Sequence, residues 1–359
     1  MIKFTRSIQI SLLVSLLLLI VFLYSKISHL FVPLNGLIQT IFIPILLSAF
    51  LYYLLRPVVA LMLKYKIKRI FSILILFLIL GAMLVWFVLA MLPILQRQFI
   101  SLLENAPSFF ETIGKQLAVL QENDIINSII PANNFDWSTV SNYINKGLTS
   151  ANAYLGSLFS FISNFTIVLF ITPIILFFML KDGEKLPAVI VKGSPKRFKK
   201  DVKEMLGEFD NVLSNFIVGR VLVNLALGVL MYIGFLIIDL PYALLLTTIA
   251  VIANFIPFVG AIVSSIPIVI VGLVNSPSTA IWALVIILVA QQIQDNFIAP
   301  YIFGKQLNIH PLTTIIVVLA AGKIGGIIAM IIIIPAYLII KVIATKVYSL
   351  FLKEKWESL

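Results

Sequence analysis

Apolar residues run almost unbroken for about twenty positions at a time, and polar residues collect between the runs. Eight such runs occupy roughly 8–24, 37–55, 70–95, 154–180, 214–238, 242–273, 278–298 and 311–340. Each is near or above the ~20 residues an α-helix needs to cross a hydrocarbon core. Lipid offers no hydrogen-bond partner, so the backbone of each run must pair within itself, and helices are predicted throughout. The fold class is therefore all-α: a polytopic integral membrane protein with about eight transmembrane helices, some broken or kinked. The polar intervals divide the chain into the first three helices (1–96), an extracytoplasmic amphipathic segment (97–153), the fourth helix (154–180), a basic cytoplasmic amphipathic segment (181–213), a core of four closely spaced helices (214–345) and a tail (346–359).

Local signals refine two of the intervals. Ser108 and Glu111 have capping-box spacing, and Ile113, Leu117 and Leu120 follow on one helical face, which predicts a short amphipathic helix starting there. Ser194-Pro195 reads as an N-cap followed by proline at the first helical position. Val202, Leu206, Phe209, Leu213 and Phe216 then continue an apolar stripe, predicting a long amphipathic helix. The last third has a different texture: Gly228, Gly234, Pro257, Gly260, Pro267, Gly322, Gly325, Gly326 and Pro335 all fall inside apolar runs. Such breaks survive in a bilayer only where protein or a water-filled cavity satisfies the freed backbone groups.

Composition confirms the solvent. The chain is 61% hydrophobic and 11% charged over 359 residues, with a mean hydropathy of +1.12, far from the roughly 25% charged residues of a soluble domain. A net charge of +11 changes the picture only through its placement. With the N-terminus inside, nineteen of the 26 Lys and Arg fall in cytoplasmic intervals; the positive-inside rule then places both termini in the cytoplasm. Lys3 and Arg6 before the first run resemble a signal peptide, but the stretch is long and no small-x-small site follows, so an uncleaved helix is expected. Lys196, Arg197, Lys199 and Lys200 crowd a helix start, where the macrodipole disfavours cations, and anionic lipid headgroups are the expected partner. Nucleic acid is not expected, because no binding motif or interleaved aromatics accompany the charge.

Chemistry-bearing patterns are few. With no cysteine and two histidines, a metal site is not expected, and no phosphate-binding, dinucleotide, zinc-protease or serine-hydrolase motif occurs. The protein is read as a non-enzyme without cofactors. Three features remain. Asn254, Pro257 and Gly260 lie inside the 242–273 run and suggest a discontinuous helix of the kind that binds solutes at the bilayer midplane. Gln291, Gln292, Gln294, Asp295 and Asn296 form a polar cluster expected at the outer end of a run, lining a cavity or meeting water at a helix end. Lys323 sits among Gly322, Gly325 and Gly326, close to the centre of the last run, and is expected to find Asp295, a carbonyl or water; Gly322 and Gly326 have the spacing of a close helix contact. Pro335 follows in the same run. Arg220 reads as a side chain that snorkels to the cytoplasmic face without further role.

Ile256-Pro257-Phe258-Val259-Gly260, Gln291 to Asn296, Ala299-Pro300, Gly304-Lys305, His310-Pro311, Gly322, Gly326 and Pro335 occur in the order and spacing of a known family. The chain resembles the autoinducer-2 exporter family of bacterial permeases, clearly from Leu180-Lys181-Asp182-Gly183 onward. The resemblance implies a plasma-membrane transporter, with members linked to export of a furanone signal and others to sodium or lithium/proton exchange. The pattern departs at Ala329, Gly325 and Gly219-Arg220, the last standing where glycine–glutamine is usual.

Together these readings predict a secondary transporter in a bacterial cell membrane, exporting a small polar solute or signal such as autoinducer-2. Asn254, Pro257, Gly260, Gln291, Gln292, Asp295, Asn296 and Lys323 would line the path, Gly322, Gly325, Gly326 and Pro335 would pack helices, and a proton or sodium ion would couple the flux. A monovalent cation/proton antiporter and a non-transporting membrane scaffold are the alternatives, and self-association is left open.

Overall fold

The computed structural model describes residues 32–121, 168–304 and 309–351, with a few helical positions between 11 and 22. The first run and its signal-peptide question, most of the 97–153 segment and the C-terminal tail lie outside the described residues. Every regular element among those described is helical. Helix α1 spans Val32–Lys64 and turns through Lys66, at φ 62°, into α2 (Arg69–Trp86). A five-residue π turn, Phe87–Met91, joins α2 to α3 (Leu92–Gln121). Ser108 lies well inside α3, where its Oγ donates to the Asn105 carbonyl at 2.7 Å. The expected capping box is therefore not made: an N-cap needs a non-helical residue, and the helix arriving from Leu92 runs straight through.

After α4 (168–182) and the short α5 (Leu186–Gly193), the chain enters α6 (Lys199–Ile237), one unbroken helix of 39 residues. Ser194 ends α5 instead of opening α6; its Oγ donates back to the Ile190 carbonyl, and a 3-10 turn over Lys196–Phe198 intervenes. Asp201 in the first turn of α6 supplies the negative charge that the helix dipole favours. The remaining helices are α7 (Ala243–Ala253), α8 (Val259–Asn275), α9 (Pro277–Ile293), a π turn (Gln294–Ile298), α10 (Ala299–Phe303) and α11 (Pro311–Phe351).

Contacts along α6 reveal the topology. Gly219 lies against Ile302 and Phe303, Asn224 and Gln294 both meet Asn254, and Gly234 lies against Ile286. Rising numbers on α6 meet falling numbers on α9 and α10, so the two run antiparallel, and Pro277 begins at the same end of the bundle as Ile237. Helix α7 is likewise antiparallel to α6, with Val251 against Gly228 and Asn254 beside Asn224. Residues 238–276 thus leave and return at one end. At 1.5 Å per residue α7 and α8 are about 16 and 25 Å long, each short of the roughly 30 Å hydrocarbon core. The 242–273 run is therefore a re-entrant hairpin whose tip, Asn254–Phe258, sits at depth. Proline withholds a donor at the tip, and Phe258 adopts a positive φ of 63°.

The last run also turns back. In one straight helix Gly322 and Met330 would be about 12 Å apart along the axis; instead the Met330 side chain fills the space beside Gly322. The reversal falls at Gly325 (φ −137°, ψ 17°) and Gly326 (φ 65°, ψ −153°), the latter a conformation reserved for glycine. Val318 on one arm and Ile334 and Leu338 on the other join one buried cluster. The second arm descends beside α6, reaching Val212 and Phe216, and Lys346 then meets Asp201 at 3.3 Å and Glu204 at 2.7 Å. The hairpins enter from opposite ends and overlap in depth, because Ile256 and Val259 from the first tip share the cluster of Val318 and Ile334.

Three buried clusters hold this frame. One joins α6 to α9 with Phe109 of α3 around Phe235, Leu246, Ile268 and Ala283, and a second joins α1, α2 and α4 around Ile73, Leu176 and Leu180. The third is the cluster between the hairpins. Ion pairs concentrate at the end where α6 begins: Arg56 meets both carboxylate oxygens of Asp210 at 2.7 and 2.6 Å, and Arg69 meets Glu184 at 2.8 Å. The Arg69 guanidinium holds the Glu184 carboxyl below its ordinary value, and the hydrogen bond from Lys185 does the same for Asp182.

Candidate functional site

The tip of the first hairpin carries the densest polar cluster at depth. Helix α7 stops at Ala253 because Pro257 and the turn after it withdraw the donors that would continue the ladder. Asn254, buried at 5% exposure, turns its side chain to the neighbouring elements. Its Nδ2 donates to Asn224 Oδ1 on α6 at 3.1 Å and to Gln294 Oε1 in the π turn at 3.0 Å. Gln294 Nε2 in turn donates to Asp295 Oδ1 at 3.1 Å. From below, a terminal nitrogen of Arg220 donates to the Asn254 backbone carbonyl, at the negative end of α7 where a cation is favoured. Gly260 closes the tip, since a Cβ there would run into the Ala253 carbonyl.

The structure sorts the residues expected to line the path. Asn254, Pro257, Gly260 and Asp295 come together at the tip, with Asp295 exposed on its outer edge. Gln292 and Asn296 face away, exposed and bonded to each other at 2.6 Å, while Gln291 is partly exposed. The 291–296 cluster meets α6 at the level of Asn224, at depth and well inside both helices, because α9 returns antiparallel to α6 after the re-entrant hairpin. Lys323 is exposed at the tip of the second hairpin, and no ion pair joins it to Asp295 among the described residues. Gly322 does receive a close contact, from its own hairpin; Gly325 and Gly326 form the turn, and Pro335 lies in the returning arm beside buried Ile334. Lys196, Arg197 and Lys200 are exposed and Lys199 partly so.

Three residues of the tip cluster were not among those expected to line the path. Arg220 does not snorkel: it stands about 30 Å along α6 from Lys199 and its guanidinium is turned to Asn254. Asn224, at 1% exposure, was one polar residue in an apolar run, and its spacing of four from Arg220 was the available signal. Gln294 is the buried member of its cluster, which only the π turn reveals, since the extra residue per turn aims it at Asn254.

A polar cluster of side chains from α6, a hairpin tip and a π turn, all at depth, is how a helical membrane protein binds a polar solute. Comparison with known proteins decides the family: the model for AI-2E family transporters matches residues 10–349. The chain belongs to the AI-2E transporter family. Among its relatives, YueF of Bacillus subtilis, named as a candidate transport protein, is 34% identical over 332 residues, covering 90% of this chain and 89% of that one. YrrI of the same organism, also named as a candidate transport protein, is 30% identical over 91% and 92%. PerM of Escherichia coli K12, named as a candidate permease, is 27% identical over 84% and 85%. All three overlap the hairpin core, so this AI-2E family member is a multi-pass membrane protein of a family of transporters and permeases.

Proposed function

We propose that this protein is a secondary transporter of the bacterial cell membrane that exports a small polar solute or signal of the autoinducer-2 kind. The observation that carries the reading is the Asn254 cluster: a broken helix at depth, closed by side chains of three elements, with hairpins entering from opposite ends. That arrangement gives each side of the membrane one movable element abutting a common site, which is what alternating access requires. Asn254, Asp295, Asn224, Gln294 and Arg220 line the path in this reading, with Pro257 and Gly260 shaping the tip. Lys196, Arg197, Lys199 and Lys200 meet anionic headgroups on the cytoplasmic side. A cation/proton exchanger would need a coupling cation at the hairpin tip; the guanidinium of Arg220 at the Asn254 carbonyl makes that spot unfavourable for one, which supports the exporter.

Uptake of labelled furanone signal by inside-out vesicles tests this, with and without a protonophore. Gradient-dependent uptake is expected, and it should fall more than tenfold in Asn254→Leu protein that still inserts. Intact vesicles without uptake would overturn the substrate assignment; uptake unchanged in Asn254→Leu would overturn the site.

A further inference from the structure

The hydrogen bonds around Asn254 have a direction. A carboxylate only accepts, so Gln294 must turn its Nε2 to Asp295, and its Oε1 is thereby turned to Asn254. Asn254 answers with Nδ2, which also donates to Asn224 Oδ1. Asn224 is left with its Nδ2 on the far side, buried and without a hydrogen-bond partner among the described residues. One helical turn earlier on the same face, Arg220 uses one terminal nitrogen on the Asn254 carbonyl, while its Nε is buried and equally unpartnered. Two elements packed against this face, the hairpin tip and the π turn, bring Asn254, Gln294 and Asp295. Asp295 is near enough for its charge to be felt at Arg220, but it is exposed, bonded to Gln294, and makes no ion pair with Arg220 among the described residues. The relay from Asp295 to Asn224 thus ends in unsatisfied donors beside a positive charge, and buried donors without acceptors are disfavoured.

We propose that Arg220 and Asn224 form an anion-recognising subsite, and that the solute bound at the hairpin tip carries a carboxylate or a similarly delocalised oxyanion. Arg220 Nε–H and the Asn224 amide N–H supply donors to the oxyanion. The planar guanidinium matches a two-oxygen acceptor better than a spherical ion, which favours a carboxylate over chloride. Asp295 and Gln294 act as positioning residues: they hold the Asn224 amide with its donor side free. The proposal rests on the transport reading and narrows its small polar solute to an oxyanion, a class that a furanone without a carboxylate does not meet, and binding itself does not depend on transport.

Thermal unfolding of the purified full chain tests it, with lactate and succinate as probes against lactamide and succinamide, sodium chloride balancing ionic strength. At least one carboxylate should raise the midpoint saturably, and its amide should not. Asn224→Asp keeps the acceptor for Asn254 but places a carboxylate where the free donor was, so it should abolish the rise; Arg220→Gln should do the same and Arg220→Lys should retain part of it. Asp295→Asn lets Gln294 turn over and should weaken the apparent carboxylate affinity several-fold without removing Arg220. Equal midpoints with carboxylate and amide in the parent, or a full rise in Asn224→Asp, would overturn the subsite. The furanone flux separates the two readings: carboxylate-specific stabilisation without furanone flux keeps the subsite and removes the furanone assignment, whereas furanone flux without stabilisation keeps the exporter and removes the subsite.

Discussion

The two re-entrant hairpins solve one problem in opposite ways. Each breaks an apolar helix at depth, where freed backbone groups find no water. The first hairpin breaks around proline, and side chains gather at its tip: Arg220 meets the freed Asn254 carbonyl, and the Asn254 amide reaches side chains of α6 and the π turn. The second breaks at Gly325–Gly326, where glycine alone supplies the geometry, and its tip stays exposed, with Ile324 at 88% and Ile327 at 67% beside exposed Lys323, and takes no side-chain hydrogen bond from a neighbouring helix among the described residues. The polar tip is positioned to recognise a solute, while the glycine tip lets two arms fold together beside α6. A break in a transmembrane run is therefore not by itself a binding site; what decides is whether neighbouring helices bring polar groups to it.

Substitutions that confuse the two tips test this contrast. Asn254→Leu should have the largest effect, leaving Asn224 and Gln294 with unpaired acceptors at a cost of about 2–4 kcal/mol and lowering flux more than tenfold; thermal unfolding and vesicle uptake measure the two. Gly260→Ala should cost about 1–3 kcal/mol, because its Cβ collides with backbone that cannot swing aside, and an unaltered unfolding midpoint would contradict the tight tip. Gly326→Ala should cost about 1–2 kcal/mol through its positive φ, yet spare solute binding per folded molecule. If it abolished binding while folding normally, the second tip would belong to the site as well. Lys323→Met should leave flux within about twofold, since the exposed lysine meets no acid of the first tip; a tenfold loss would place it on the path.

A pair outside both hairpins sets the baseline. Glu184 is held below its ordinary value of 4.5 by Arg69. A carboxylate lowered in the folded state contributes its stability above its unfolded value and loses it as pH falls through the folded one. Glu184→Gln should therefore cost under about 1 kcal/mol at neutral pH, because the pair is half exposed. Parent and variant should converge in acid, below about pH 4.5. Unfolding curves at neutral and acid pH would show whether that convergence occurs.

Much of this architecture is visible in the residues, and the limits are physical. Long apolar runs require helices in lipid, so the fold class and the break around Pro257 follow from chain chemistry alone. Asn254 and Asp295 stood out because polar residues at depth are costly. Helix starts were harder to read: Ser108 and Ser194 carry cap signals, but Ser108 lies inside α3 and Ser194, in extended backbone, closes α5, so a cap signal competes with the helix before it. The place of Arg220, Asn224 and Gln294 at the hairpin tip was not legible because a one-dimensional run does not record which face a residue presents.

What the sequence determined by itself is the solvent, the helical class, the weak points of the chain and the family to which it belongs, since these depend on composition and short-range order. Only the tertiary structure decided that two apolar runs turn back, that Gln294 rather than Gln291 or Gln292 meets Asn254, and that Arg220 faces the hairpin tip. Hydropathy measures the length of apolar chain, and direction and depth arise when helices pack against one another, through contacts between residues tens of positions apart.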